Sequence, residues 1–156
     1  MARYEFVPGE STIALDASSS VHPIHTSTAG LTGFLDLDRQ EGELHVPLGE
    51  LRSGNPLIDR ETRRRLDTKR HPEITAVVST LTKTDEHTYA TAGTIEAMGE
   101  TVEAEGVLTI TPDDSLRITG TRSFDVRDWG LQPPKLLMVK VHPDVTAHIS
   151  LLARPS

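Results

Sequence analysis

The chain has 156 residues, no cysteine, and 16 basic against 23 acidic residues, for a net charge of -7. No disulfide, thiolate nucleophile or cysteine zinc site is possible, which leaves His, Asp and Glu as the available metal ligands. A general nucleic-acid or anionic-membrane partner is also disfavoured, because the overall field repels phosphates.

A chain of this length is expected to form one domain, residues 1–156, large enough to bury a core unaided. The first stretch, "MARYEFVPGESTIAL", carries no apolar run of the kind a signal peptide needs, and nowhere do about 18 apolar residues follow one another. The expectation is a cytoplasmic protein without a membrane span.

Taken in chain order, short alternating apolar segments separated by Gly, Pro, Asp and Ser predict antiparallel strands. "STIALDA" alternates around Ile13 and Leu15. "GFLDL" and "ELHVPL" follow, with Phe34, Leu35, Leu37, Leu44, Val46 and Leu48. "NPLIDRETRRRLDTKRHP" breaks the pattern: Asn55 can cap, Pro56 suits a first turn, and Ile58, Thr62 and Leu66 are spaced by four. A short helical segment near residues 56–67 is predicted, with Asp59 to Arg63 and Glu61 to Arg65 as ion pairs on a solvated face. An alternative use for Arg60, Arg63 or Arg64 is to meet an anionic ligand head. Then come "EITAVVSTL", "YATAGTIEAM", "ETVEAEGVLTI", "LRITGTRSFDV", "LLMVKV" and "VTAHISLLA", with turns predicted at "KTDEH", "TPDDS" and "VHPD". The fold class is all-β, and a sheet of about eight antiparallel strands tends to close on itself.

Three blocks in this order, "LRSGNPLIDRETRRRLDTKRHPEI", "GTIEAMGETVEAEGVLTI" and "SFDVRDWGLQPPKLLMVKVHPDVTAHISLLA", resemble the YceI-like family of polyisoprenoid-binding proteins. The resemblance spans roughly Ser11 to Ala153. It implies an extended, lipocalin-like β-barrel, an apolar interior that holds an isoprenoid or quinone-like lipid, and a homodimer. Alternation places Leu116, Ile118, Phe124 and Val126 on one face of a strand, and Val145, Ala147, Ile149 and Leu151 on one face of the last. The candidate ligand-binding residues are Ile13, Leu15, Phe34, Val46, Leu108, Ile118, Phe124, Trp129, Leu137, Val145 and Ile149. The same pattern also suits a dry, filled core.

"SSSVHPIHTSTAG" places His22 and His25 around Pro23 and Ile24. On a regular strand, positions three apart face opposite ways, but a bulge at Pro23 restores both rings to one side. With His148 they form a weak candidate metal set, and one imidazole is a candidate haem ligand or general base. No cofactor is expected on the leading reading, a binding protein for an apolar or amphipathic small molecule. The alternative is an enzyme, or a metal or haem protein, that uses the barrel as a reaction chamber with His22 and His25. The leading reading of "VHPIH" itself is a polar strand hydrogen-bonded within the fold or facing solvent. His45 and His142 are weaker candidates.

Overall fold

The computed structural model describes residues 3–19, 23–112, 115–130, 135–136 and 139–155, with backbone alone at 135–136 and 139–141. The elements in order are β1 (Arg3–Phe6), β2 (Thr12–Ser19), β3 (Ile24–Thr28), β4 (Thr32–Asp36), β5 (Glu41–Pro47), a 3-10 turn (Leu48–Glu50), α1 (Pro56–Leu66), β6 (Glu73–Lys83), β7 (Thr88–Ala97), β8 (Glu100–Pro112), β9 (Leu116–Asp125), a second 3-10 turn (Val126–Trp129), β10 (Lys135–Leu136) and β11 (Val139–Pro155). Strand neighbours run β1-β4-β5-β6-β7-β8-β9-β11, and β1 pairs β11 as well, through Tyr4 with Pro155 and Phe6 with Ala153. The circuit is therefore a closed barrel of eight antiparallel strands. The hairpin β2-β3 continues the β11 edge where β1 leaves off.

Closure depends on β1, four residues in which Tyr4 and Phe6 alternate with Arg3 and Glu5. Val139 to Val141 of "LLMVKV" and the whole of "VTAHISLLA", expected on two strands with a turn at "VHPD", lie on one strand of 17 residues, while Leu136 belongs to β10, which pairs with it. Its pairing with β2 shifts register between Val141 and Val145, so the residues at Pro143, which lacks a ladder donor, form an irregularity inside the strand rather than a reversal.

A second irregularity re-aims a core residue. On β6 the register shifts between Val78 and Thr80. Ile74 and Val78 pack inward before it, and Leu81, three residues on, packs inward after it. One extra residue reverses strand parity, which is what places Leu81 in the core. Gly93 lies opposite: a Cβ there would sit 1.8 Å from the Val77 carbonyl oxygen, so the chains approach as only glycine allows.

The helix forms where its caps predict. The Asn55 side chain accepts from the N–H groups of Leu57 (3.0 Å) and Ile58 (3.3 Å), Pro56 occupies the first turn, and Asp67 closes the end at φ 51. The expected Asp59 to Arg63 pair does not form. Asp59 is 6 % exposed and accepts instead from the Ser53 N–H at 2.8 Å and hydroxyl at 2.6 Å, tying the helix to the segment before it. Glu61 takes both Arg64 (2.5 Å) and Arg65 (3.1 Å) on the outer face. The Arg64 guanidinium holds the Glu61 carboxyl below its usual range.

The barrel has two unlike ends. At one, Leu31, Leu81, Ile110, Leu116 and Ala153 are all but sealed from solvent and pack with Phe6, Leu35, Ile118 and Leu151. At the other, α1, the first 3-10 turn and the 126–129 turn sit across the strand ends. There Ile58 and Ile24 pack with Ala17 as a small separate cluster.

Candidate functional site

Above the packed end the barrel is hollow. The cavity has a volume of about 410 Å³, and its floor is Phe6, Leu35, Ile118 and Leu151. The wall is apolar but short of bulk: Ala17, Ala76, Gly93, Ala104, Gly106, Gly120 and Ala147 all line it. Larger side chains, Leu15, Leu108, Ile149 and Val145, stand between them, and Thr62 and Leu66 of α1 contribute at the top. The i, i+4 stripe Ile58, Thr62, Leu66 that signalled the helix is the face it turns to the barrel. Small residues at inward positions leave the space, because a barrel of this strand number is wide enough either to fill itself or to hold one small molecule.

At the rim, the Trp129 indole N–H donates to the Ile95 carbonyl at 3.0 Å, pinning the 126–129 turn across to β7. The Phe124 ring meets Trp129 edge-on, with centroids 5.8 Å apart. Asp125 caps the turn by accepting from the Arg127 N–H at 2.9 Å, and the Arg127 guanidinium beside it holds the Asp125 carboxyl below its ordinary value.

Of the residues singled out in the sequence, Ile13, Leu15, Val46, Leu108, Ile118, Phe124, Trp129, Val145 and Ile149 line the cavity. Phe34 borders it, yet its ring is half-exposed and carries the Arg3 guanidinium 4.0 Å above its centroid. Leu35, 3 % exposed, is the β4 residue buried in the core. Leu137 lies outside the described residues, as does His22.

His25 does not face the lumen. β3 starts at Ile24, after Pro23, and its alternation is regular: Ile24 and Thr26 line the cavity, and His25 points out. A proline ahead of the strand cannot reverse parity within it. Outside, the His25 Nδ1–H donates to Asp16 at 2.5 Å, and the His148 Nε2–H donates to the other Asp16 oxygen at 3.0 Å. Thr121 meets the His148 Nδ1 at 3.1 Å. The neighbouring-strand imidazoles are thus brought together by β2, β3 and β11, but as a hydrogen-bonded row on the outer surface. The His25 contact, followed by that of His148, holds the Asp16 carboxyl below its usual range. Among the described residues no three His, Asp or Glu groups converge as a metal site. His45 lies on the outside as well, between Glu43 (3.3 Å) and Glu73 (3.0 Å). Among the described residues, the imidazole at the cavity rim is His142, whose Nδ1 lies 3.1 Å from the Ser18 hydroxyl.

One cavity residue was missed in the sequence although the signal was present. Arg122 shares strand parity with Ile118 and Phe124 and lines the cavity, with its guanidinium 4.5 Å from the centre of the Phe124 ring.

Comparison with known proteins agrees with this architecture. Residues 4–153 match the YceI-like domain model. A polyisoprenoid binding domain from Saccharophagus degradans, implicated in plant cell wall breakdown, superposes with a TM-score of 0.84 at 14 % identity, over 100 % of this chain and 99 % of that one. BcnA of Burkholderia cenocepacia gives 0.83 at 12 % identity, over 94 % and 98 %. The YCEI protein of Campylobacter jejuni gives 0.65 at 11 %, over 91 % and 81 %. No curated protein matches the sequence. With the family model spanning nearly the whole barrel, this chain belongs to the YceI-like domain family.

Proposed function

We propose that the protein binds an elongated apolar or amphipathic small molecule, isoprenoid or quinone-like, inside the barrel. The observation that carries this reading is the cavity of about 410 Å³, left open above a fully packed core in the same barrel. It falls within the ~300–1,000 Å³ common to small-molecule sites, and an apolar wall with few polar groups favours an apolar guest. The polyisoprenoid-binding description of the Saccharophagus domain supports that ligand class. The ligand contacts in this reading are Ile13, Leu15, Val46, Leu108, Ile118, Phe124, Trp129, Val145 and Ile149. A homodimer in the cytoplasm belongs to the same proposal, to be tested by sedimentation and by cell fractionation.

Native mass spectrometry of protein purified from its own host, followed by organic extraction, tests the function. The expected result is a co-purifying lipid that leaves on extraction, after which farnesol rebinds. A protein that carries nothing and takes up no farnesol contradicts the reading.

A further inference from the structure

The wall of the barrel is not continuous. β7 pairs β8 along its whole length, from Thr88 with Thr109 to Ala97 with Glu100, and β9 pairs β11 up to Asp125 with Asp144. Between β8 and β9, however, the ladder holds only from Thr109 with Thr119 to Pro112 with Leu116. Beyond Thr109 the two strands part, leaving a slot in the side of the hollow end.

Arg122 lies in this slot. A Cβ on Gly106 of β8 would be 3.7 Å from the Arg122 Cδ, so the arginine stem crosses from β9 over the bare backbone of Gly106. Its guanidinium rests on Phe124 and, among the described residues, has no ion-pair partner. The acidic residues nearest in sequence on β8, Glu103 and Glu105, have the opposite parity to Ala104 and Gly106, although Glu105 borders the cavity at its opening. An exposed arginine on the inner face of an apolar chamber, held against an aromatic ring, presents donors that suit a carboxylate or phosphate.

Resting on the lipid-binding reading above, the geometry points to the β8–β9 slot as a headgroup site: Arg122 holds the anionic phosphate or carboxylate head of an amphipath whose apolar tail occupies the cavity. The slot keeps the charged head in contact with water while the tail is buried, which avoids the cost of desolvating an anion. The tail supplies affinity and Arg122 supplies selectivity.

The test uses one tail with three heads: delipidated protein is titrated calorimetrically with farnesol, farnesoic acid and farnesyl phosphate at low and high salt. Arg122→Met is compared with the wild type and with Arg117→Met, which removes the same charge from the outer face of the same strand. The expected result is that wild type and Arg117→Met prefer the anionic ligands over farnesol by about tenfold or more, with the preference falling as salt rises. Arg122→Met should lose the preference, its affinity falling much further for the anions than for farnesol. Which anion gains more identifies the head as phosphate or carboxylate. Equal binding of all three by the wild type, or an equal loss of farnesol and anion in Arg122→Met, overturns the headgroup site while leaving tail binding in place. Failure of all three ligands to bind the wild type overturns both.

Discussion

The two ends of this barrel are built by the same strands and the same alternation, yet one is solid and the other hollow. At the solid end the inward positions hold Leu81, Ile110, Leu116 and Ala153, with Leu31 beside them, and β1 closes the circuit by pairing both neighbours. At the hollow end the inward positions hold Ala17, Gly93, Ala104, Gly106 and Ala147, the β8–β9 ladder stops, and a helix and a turn stand in for continuous wall. Alternation fixes which face is inside. Side-chain volume at those positions, together with ladder continuity, decides whether the inside is core or chamber.

The largest effect that can break this comparison comes from two truncations, one at each end. Leu81→Ala removes a side chain that is 2 % exposed among packed neighbours and should cost about 2–5 kcal/mol in chemical denaturation. Val145→Ala, on the cavity wall, should cost less than about 1 kcal/mol, since its neighbours already face space. Equal losses would mean that the hollow end is packed after all.

Filling the chamber sharpens the same point. Ala147→Phe places a ring in the cavity opposite Arg122 on β9, and should abolish farnesol binding while shifting stability by less than about 1 kcal/mol. In a close-packed core the same enlargement typically costs about 1–3 kcal/mol. A large loss of stability with farnesol affinity intact would reverse the assignment.

The outer surface at the hollow end should report a smaller, pH-dependent term. The Asp16 carboxyl is depressed chiefly by its hydrogen bond from His25, and secondarily by His148. Unfolded, the group titrates near ~3.9. Its contribution is therefore complete above that pH and is lost as pH falls through the lower folded value. Comparing wild type with Asp16→Asn by thermal melts at several pH values should show a gap under about 1 kcal/mol near neutrality that shrinks in acid, small because the pair is exposed. An effect of similar size and opposite sign belongs to the rim hairpin, where Met98 sits at φ 53 beside Gly99 at φ 82. Met98→Asn should stabilise by roughly 0.5–1 kcal/mol by relieving a left-handed conformation that most side chains disfavour.

Much of the fold was legible because barrel strands write their burial in a period of two. Ile13 and Leu15, Leu116 and Ile118, and Val145 through Leu151 read directly from the chain, and Asn55 and Pro56 marked the start of α1. What was not legible depended on events between strands. The bulge after Val78 turns Leu81 inward, and nothing in "EITAVVSTL" announces it. The start of β3 after Pro23 leaves His25 outside, whereas a bulge at that proline would have brought it in. The choice of Leu35 over Phe34 follows from the register with Gly42 and Tyr4. β1 was overlooked because four residues of alternation carry little signal alone. Arg122 was a different kind of miss: its parity was already given by Ile118 and Phe124, but a charged residue was not considered as part of an apolar wall.

The central claim, that one end of this barrel is a chamber for an apolar molecule, is tested most directly by co-crystallising the delipidated protein with 1-bromododecane and mapping the bromine by anomalous scattering. The account predicts a bromine peak among Ala17, Ala104, Ala147 and Phe124, with none among Leu81, Ile110 and Leu116. A peak confined to the outer surface, or no ordered bromine at saturating ligand, would contradict it.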